Sequence, residues 1–323
     1  MAEPDAKKYS IVQKQVPTFY FIGVTTTKSS IMKIFPHWTR ELGHPDVILR
    51  GVDLKLNDNP AAYRQAVAQI KYDPNSLGAL VTTHKINLYQ AAHDLFDAFD
   101  PFAKMCGEVS CISKRDGRLE GHAKDPQTSG ATLDAMLGKN YFAHTGGQVL
   151  AFGPGGATTA IALHFIHTPN AGDRPRRFVV VGHKQSELDR LKKILAAQTT
   201  DIFFEYILND APETNDALMA QMPRASVIIN ATGMGKDLPG SPITDSGLFP
   251  EQGVAWELNY RGALDFLHQA KRQRDTRGIY VQDGWLYFLY GWTQVISQVY
   301  HMPIQGELFE RLSHTAERIM AAP

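Results

Sequence analysis

Two periodicities alternate along the first third of the chain. Thr18-Phe19-Tyr20-Phe21-Ile22-Gly23-Val24 is a short apolar run suited to a buried strand. From Ser29 to Leu42 apolar residues recur at helical spacing, and the pattern stops at Gly43. Residues 46–54 predict the next strand, 61–70 a helix, and 77–82 a third buried strand. Strands alternating with helices argue for a mostly parallel sheet. Two further strands, 110–113 and 119–122, flank Lys114-Arg115-Asp116-Gly117-Arg118, a hairpin pattern with an Asp-Gly turn.

A helix over 128–137 leads into a second unit, with Gly138 and Thr145-Gly146-Gly147 marking the turn before it. Strand signals then recur at 148–152, 177–181, 202–207, 226–230, 253–258 and 278–281, with helices between most of them. That is a doubly wound arrangement with its own sheet. From Trp285 to Ala321 the pattern is helical throughout, and this closing segment is expected to return to the first domain, making it discontinuous.

The turn after the first strand of the second unit carries chemistry. Val149-Leu150-Ala151-Phe152 runs into Gly153-Pro154-Gly155-Gly156-Ala157, which has the first two glycines of a G-x-G-x-x-G/A motif, with Ala160 a small residue further on. The first glycine permits the tight turn. The second lets a pyrophosphate approach the backbone, and the small third position lets helix and strand pack closely. Gly153, Gly155, Gly156 and Ala157 are therefore cofactor candidates. At the end of the next strand, Val181-Gly182-His183-Lys184 offers no acid for a ribose 2′-hydroxyl, whereas His183 and Lys184 suit a 2′-phosphate. NADP is the expected cofactor, with NAD possible. A polar insertion, 168–176, separates the two motifs by about nine residues more than usual. The other reading of Lys184 is a solvated residue at a helix start.

Upstream, Val81-Thr82-Thr83-His84-Lys85 and Asp125 supply an apt pair for moving a proton to or from a hydroxyl that loses a hydride. Proton-handling groups before a dinucleotide turn point to an oxidoreductase. The remaining composition narrows the field. The 323 residues are 43% hydrophobic and 20% charged with zero formal net charge, which favours neither a nucleic-acid nor an anionic-membrane partner. The charged start, residues 1–8, lacks the apolar region of a secretory signal, and no apolar run approaches bilayer-spanning length; a cytoplasmic location is expected. Cys106 and Cys111 cannot make a disulfide framework, and without a second cluster they read as packed thiols rather than metal ligands; no metal is expected.

In this order the segments resemble the shikimate dehydrogenase family, over roughly residues 18 to 310. Val81-Thr82-Thr83-His84-Lys85 looks like its V-T-x-P-x-K segment, and Leu119-Glu120-Gly121-His122-Ala123-Lys124-Asp125 its L-x-G-x-N-T-D segment. Asn230-Ala231-Thr232-Gly233-Met234-Gly235 is similar to N-A-T-x-x-G, which passes near the nicotinamide, and Gln282-Asp283-Gly284 to the D-G before the final helices. The resemblance implies an α/β protein of two domains with a cleft between them. One is an α/β substrate domain with a mostly parallel sheet, over 1–127 plus 285–323; the other is a Rossmann-type NADP-binding domain, over 128–284. It also implies Lys85 and Asp125 as the catalytic pair, Asn230, Thr232 and Gly235 as cofactor-binding, and Thr82 as substrate-binding. The expected substrate is a cyclic polyol or hydroxy acid, shikimate- or quinate-like, and the expected state a monomer or homodimer.

Departures from the family pattern concentrate at the substrate. Its S-x-S loop stands here as Thr27-Lys28-Ser29-Ser30-Ile31, so Ser29 keeps one serine, Ile31 replaces the other, and Lys28 is the candidate for the lost anion affinity. Ser110 and Ala123 replace two asparagines. The glutamine expected after Asp283 falls on Gly291, with Gln294 one turn further as its stand-in. A site built on such amide bonds discriminates strongly, so losing several makes ordinary shikimate a doubtful best substrate. Trp285, Tyr287, Tyr290 and Trp292 crowd the start of the closing helix, as core or as a reshaped pocket. Two other readings stay open: a non-catalytic metabolite and cofactor sensor, and a folate-type dehydrogenase on a similar scaffold.

Overall fold

The computed structural model describes residues 6–236 and 238–321; residues 1–5 of the charged start lie outside the described residues. By internal contacts the chain divides into two compact units. One comprises the residues up to Lys124 together with those from Gly291 onward, and the other is Asp125–Tyr290.

The first unit is built on a six-stranded sheet. In chain order the strands are β1 (Thr18–Gly23), β2 (Ile48–Asp53), β3 (Ser76–Val81), β4 (Ala98–Phe99), β5 (Cys111–Arg115) and β6 (Arg118–His122). Their spatial order is β2-β1-β3-β5-β6-β4. β1 pairs in parallel with β2 and β3, whereas β5 runs antiparallel to β3 and β6. Every residue of β1 is buried, as an apolar run without alternation requires of a central parallel strand. The hairpin closes on Asp116 and Gly117, both at positive φ (50° and 75°), the backbone of a two-residue type I′ turn. The Ile31–Glu41 helix begins two residues later than its periodicity suggests, because Ser29 is extended after a single 3₁₀ turn, Thr26–Lys28. β4 and the short Pro101–Cys106 helix have too few residues for a readable period. They are fixed instead by the Asp100 side chain, which accepts from the Ala103 N–H at 2.6 Å.

The closing segment forms two helices, Trp285–Tyr300 and Glu307–Ala321, with Pro303 and Gly306 in the break between them. Glu307–Ala321 packs on Ile31–Glu41, where the Trp38 Nε1–H, fully buried, donates to the Leu312 carbonyl at 2.7 Å. Trp292 is buried against Phe19 and Phe21. No described helix is long and apolar enough to cross a membrane.

The second unit carries β7 (Val149–Phe152), β8 (Arg177–Gly182), β9 (Phe203–Leu208), β10 (Val227–Asn230), β11 (Val254–Glu257) and β12 (Tyr280–Gln282). All pair in parallel in the order β12-β11-β10-β7-β8-β9, which reverses between β7 and β10. Ligands of such sheets bind outside the carboxyl ends of the strands at that reversal. The helix expected from 128 begins at Asp125, since Pro126 is tolerated in a first helical turn. Where the sequence predicts only a turn near Gly138 and Gly146, a short helix, Tyr141–Thr145, fits between them. The polar insertion packs beside it through Asn170, whose amide donates to the Asn140 side chain at 3.0 Å. β8 consequently keeps its register, with Val181 opposite Phe152.

Trp38→Phe keeps the ring but deletes the donor to a buried carbonyl. Urea unfolding should show a loss of about 1–3 kcal/mol; an unchanged midpoint would mean the Leu312 carbonyl finds another donor.

Candidate active site

Two main chains approach closely at the end of β7. A Cβ on Gly153 would lie 2.7 Å from the Ala231 carbonyl oxygen, and its φ of +97° is a conformation glycine adopts without penalty. The Gly153 N–H donates to the Val181 carbonyl at 2.8 Å, closing the turn against β8. Beyond it, Gly155 is the N-cap of the Gly156–His167 helix with no side-chain cap, and a Cβ there would meet only open space. The Thr158 hydroxyl donates to the Gly153 carbonyl and the Thr159 hydroxyl to the Gly155 carbonyl, so neither fills that space. Uncapped N–H groups at the positive end of a helix, facing room without a side chain, fit a pyrophosphate. Next to this turn lies a pocket of about 200 Å³ lined by Phe152, His183, Asn209, Asp210, Thr232 and Met234 among others. Gly153, Gly155, Gly156 and Ala157 form the turn after β7 and the start of the helix that follows it.

Across the reversal, the loop 230–235 is held by a carboxylate that the sequence reading passed over. Glu257 is fully buried at the end of β11. One of its oxygens accepts from the Asn230 amide at 2.6 Å, the other from the Asn259 amide at 2.7 Å and the Asn259 N–H at 2.8 Å. Both amides also reach the Met234 carbonyl, at 3.4 and 3.3 Å. The Asn230 side-chain Oδ1 accepts from the Thr232 N–H and hydroxyl. Asn230, Thr232 and Gly235 are therefore one hydrogen-bonded loop with Glu257 as its base. Gly235, at φ +82°, packs on Leu264, where a larger residue would crowd. The available signal was a lone acid ending the apolar run Val254-Ala255-Trp256.

Lys184 is exposed, N-terminal to the Gln185–Ala196 helix, and its ammonium lies 3.3 Å from Glu187. His183 beside it lines the pocket.

In the first unit, Thr82, Ser110 and the loop after β1 gather at the carboxyl ends of β1 and β3. Thr26 buries its hydroxyl and N–H on one oxygen of Asp53, at 2.6 and 2.8 Å, which pins the loop carrying Lys28 and Ser29. A Cβ on Gly51 would collide with that hydroxyl at 2.1 Å. This pin was also missed, since Asp53 reads locally as a strand end. Ser29 is half-buried and Lys28 exposed, while Ile31 is completely buried in the core. Ser110 is buried, and its hydroxyl accepts from the Lys124 N–H at 2.8 Å. Lys85 is the first residue of the Lys85–Ala92 helix, after Thr83 at φ +51° and a buried His84. The segment is one residue shorter than V-T-x-P-x-K, and Thr83 turns the chain in the space left. A cation at this end opposes the helix dipole, whereas Asp125, in the first turn of Asp125–Leu137, accords with it.

Gln294 lines a polar pocket with Lys124 and Arg115. Of the four aromatic candidates, Trp292 is core, Trp285 stacks on Phe288 at 5.1 Å, and Tyr287 meets the edge of Trp256. Cys106 and Cys111 form no disulfide, and no His, Cys, Asp or Glu cluster among the described residues could hold a metal ion.

No family model matches the chain. The shikimate dehydrogenase (NADP(+)) of Lactococcus lactis subsp. cremoris is 28% identical over 178 residues, which span 55% of this chain and 59% of that relative. In sequence the chain is thus similar to shikimate dehydrogenases. Its fold agrees with the family along nearly the whole length. The Thermus thermophilus shikimate 5-dehydrogenase, solved in complex with NADP(H) and shikimate, superposes with a TM-score of 0.69 at 20% identity, covering 94% of this chain and 99% of that one. The 5-ketofructose reductase of Gluconobacter sp. strain CHM43 shares the fold equally broadly, with a TM-score of 0.67, 18% identity and the same coverages.

Burial pushes the Glu257 carboxyl up to about 7, with Asp283 adding to the rise and the hydrogen bonds from Asn259 and Asn230 opposing it. Between the ordinary glutamate value and about 7 the folded chain holds a proton that the unfolded chain has lost. This contribution to stability is therefore full below the ordinary value and disappears as pH rises through about 7. In Glu257→Gln the urea midpoint should lose this component of its decline from about pH 5 to 7; parallel profiles for variant and wild type would contradict it.

Proposed function

We infer that the chain is an NADP-preferring alcohol dehydrogenase/ketoreductase. It moves a hydride between the nicotinamide and a secondary alcohol or ketone of a shikimate- or quinate-like polyhydroxy ring. The observation that carries this reading is the turn at Gly153–Gly156, with its uncapped helix end and side-chain-free space for a pyrophosphate. When bound, the nicotinamide supplies the hydride acceptor or donor. The other tasks fall to this chain's side chains. The Lys85 ammonium holds the substrate hydroxyl and stabilises the negative charge that grows on its oxygen. Asp125 completes the relay that removes the hydroxyl proton as the carbon–oxygen double bond forms, and returns it in the reverse direction. Thr82 and Ser29 orient the ring. The Glu257 clamp keeps the 230–235 loop in place, and no metal is needed.

A specific observation favours a ring without a carboxylate at the usual position. Ile31, which stands where the family has its second serine, is a core residue and offers no donor. Absorbance at 340 nm with NADP or NAD against shikimate, quinate and carboxylate-free cyclitols separates the cases. Turnover of cyclitols alone would favour the carboxylate-free ring, brisk turnover of shikimate the ordinary substrate, and silence throughout would overturn the enzyme reading.

With whichever substrate is turned over, Lys85→Ala should lower kcat by about 10²–10⁴-fold while cofactor Kd, read by fluorescence, stays within about twofold; equal losses in both would remove Lys85 from the chemistry. Cofactor choice has its own test at Lys184, whose ammonium now faces Glu187. Lys184→Asp should raise KM for NADP about tenfold relative to NAD, and Glu187→Gln should lower KM for NADP alone, given the strength of charge-assisted bonds to phosphate. Unchanged NADP/NAD ratios in both variants would exclude a 2′-phosphate contact.

A further inference from the structure

A polar pocket of about 230 Å³ opens in the first unit, away from the loop after β1. Its wall is Arg115, Lys124, Gln294, Ser297, Gln298 and His301, closed by Met302 and Pro303. No carboxylate lines it. Lys124 is nine-tenths buried and stands on the pocket wall, where no carboxylate accompanies it. Its N–H is taken by Ser110, and the Cys111 thiol, which shares its field, is pushed up by burial and stays neutral. Asp100, the other charge felt at Cys111, is itself occupied by the Ala103 and Ala123 N–H groups and by His122. An ammonium and a guanidinium on a wall without a carboxylate attract an anion.

The rest of the wall suits an anion as well. Arg115 stands at the rim and donates to His301 Nδ1 at 2.9 Å. His301 Nε2 lies 2.8 Å from the Lys114 carbonyl, so the ring bridges Arg115 and the main chain. Gln294 and Gln298 add amide donors one helical turn apart on the same helix. The Ser297 hydroxyl donates to the Met302 carbonyl and fixes the pocket floor.

We propose that this pocket is a binding site for a small oxyanion, held by Lys124 from within and Arg115 at the rim. Carboxylate and phosphate share the required chemistry, a compact group with two or more acceptor oxygens. The site shares no lining residue with the dinucleotide turn or with the Lys85 and Asp125 pair, so it holds whether or not the dehydrogenase reading does.

The test is calorimetric titration of the full-length wild-type protein, Lys124→Met and Arg115→Met, with inorganic phosphate in one arm and malonate in the other, at constant ionic strength. Wild type should bind at least one of the two, and the arm that binds tells phosphate from carboxylate. Lys124→Met should weaken that binding at least tenfold and Arg115→Met several-fold, as expected for charge-assisted bonds. Should Lys124→Met fail to fold, Arg115→Met, altered only at an exposed position, still reads the site. Anion binding at the Gly156 helix end would be untouched by either variant. Affinities equal in all three proteins, or no binding by wild type, would overturn the proposal.

Discussion

At the end of β7 the chain must turn where β10 has already placed the Ala231 carbonyl, and the dinucleotide unit is organised around that approach. No side chain fits at Gly153, and the positive φ that results aims the next residues so that the Gly156–His167 helix begins uncapped. Because β7 and β10 are neighbours at the point where the strand order reverses, the two loops leaving them face the same space. One loop leads into the uncapped N–H groups of the Gly156–His167 helix. The other, from Asn230 to Gly235, is fixed from beneath by Glu257. A fully buried carboxylate with three N–H donors is stable only while all of its partners hold their geometry, and this gives the loop one arrangement rather than several.

The first unit solves a similar problem with a different residue. The loop after β1 is held by Asp53 through two bonds to Thr26, and the hydroxyl occupies the space left by the missing side chain of Gly51. The loop is therefore rigid at its start and anchored by Ile31 at its end. Between the two anchors only Lys28, Ser29 and their neighbours face outward. A loop so constrained has few polar groups to offer. Ser110 turns its hydroxyl to the Lys124 backbone, and Gln294 turns to a pocket of its own. Lys124, where the family carries threonine, puts a charge into that pocket.

Much of this was legible from local pattern. The strand and helix order, the Asp-Gly hairpin and the glycine turn each follow from a short stretch of chain obeying its own geometry, and the structure differs mainly at element ends. The helix over Tyr141–Thr145 and the strand Ala98–Phe99 were not legible, because segments of that length carry less than one clear period and are held by tertiary bonds. The candidates Gly153, Gly155, Asn230 and Thr232 belong to contiguous motifs, which local pattern can pick out.

The amino-acid sequence by itself determined which segments become strands and helices and where the backbone must turn without a side chain. These are consequences of steric rules and apolar periodicity acting over a few residues. Only the tertiary structure decided that Glu257 would sit between Asn230 and Asn259, that Asp53 would hold Thr26, that Trp292 would be core, and that Gln294 would share a pocket with Lys124. Those partners lie on different strands and helices, some far apart in the chain. Whether a charged or amide side chain among them is a structural tie or an open site depends on which other groups the packed sheets bring within hydrogen-bonding distance.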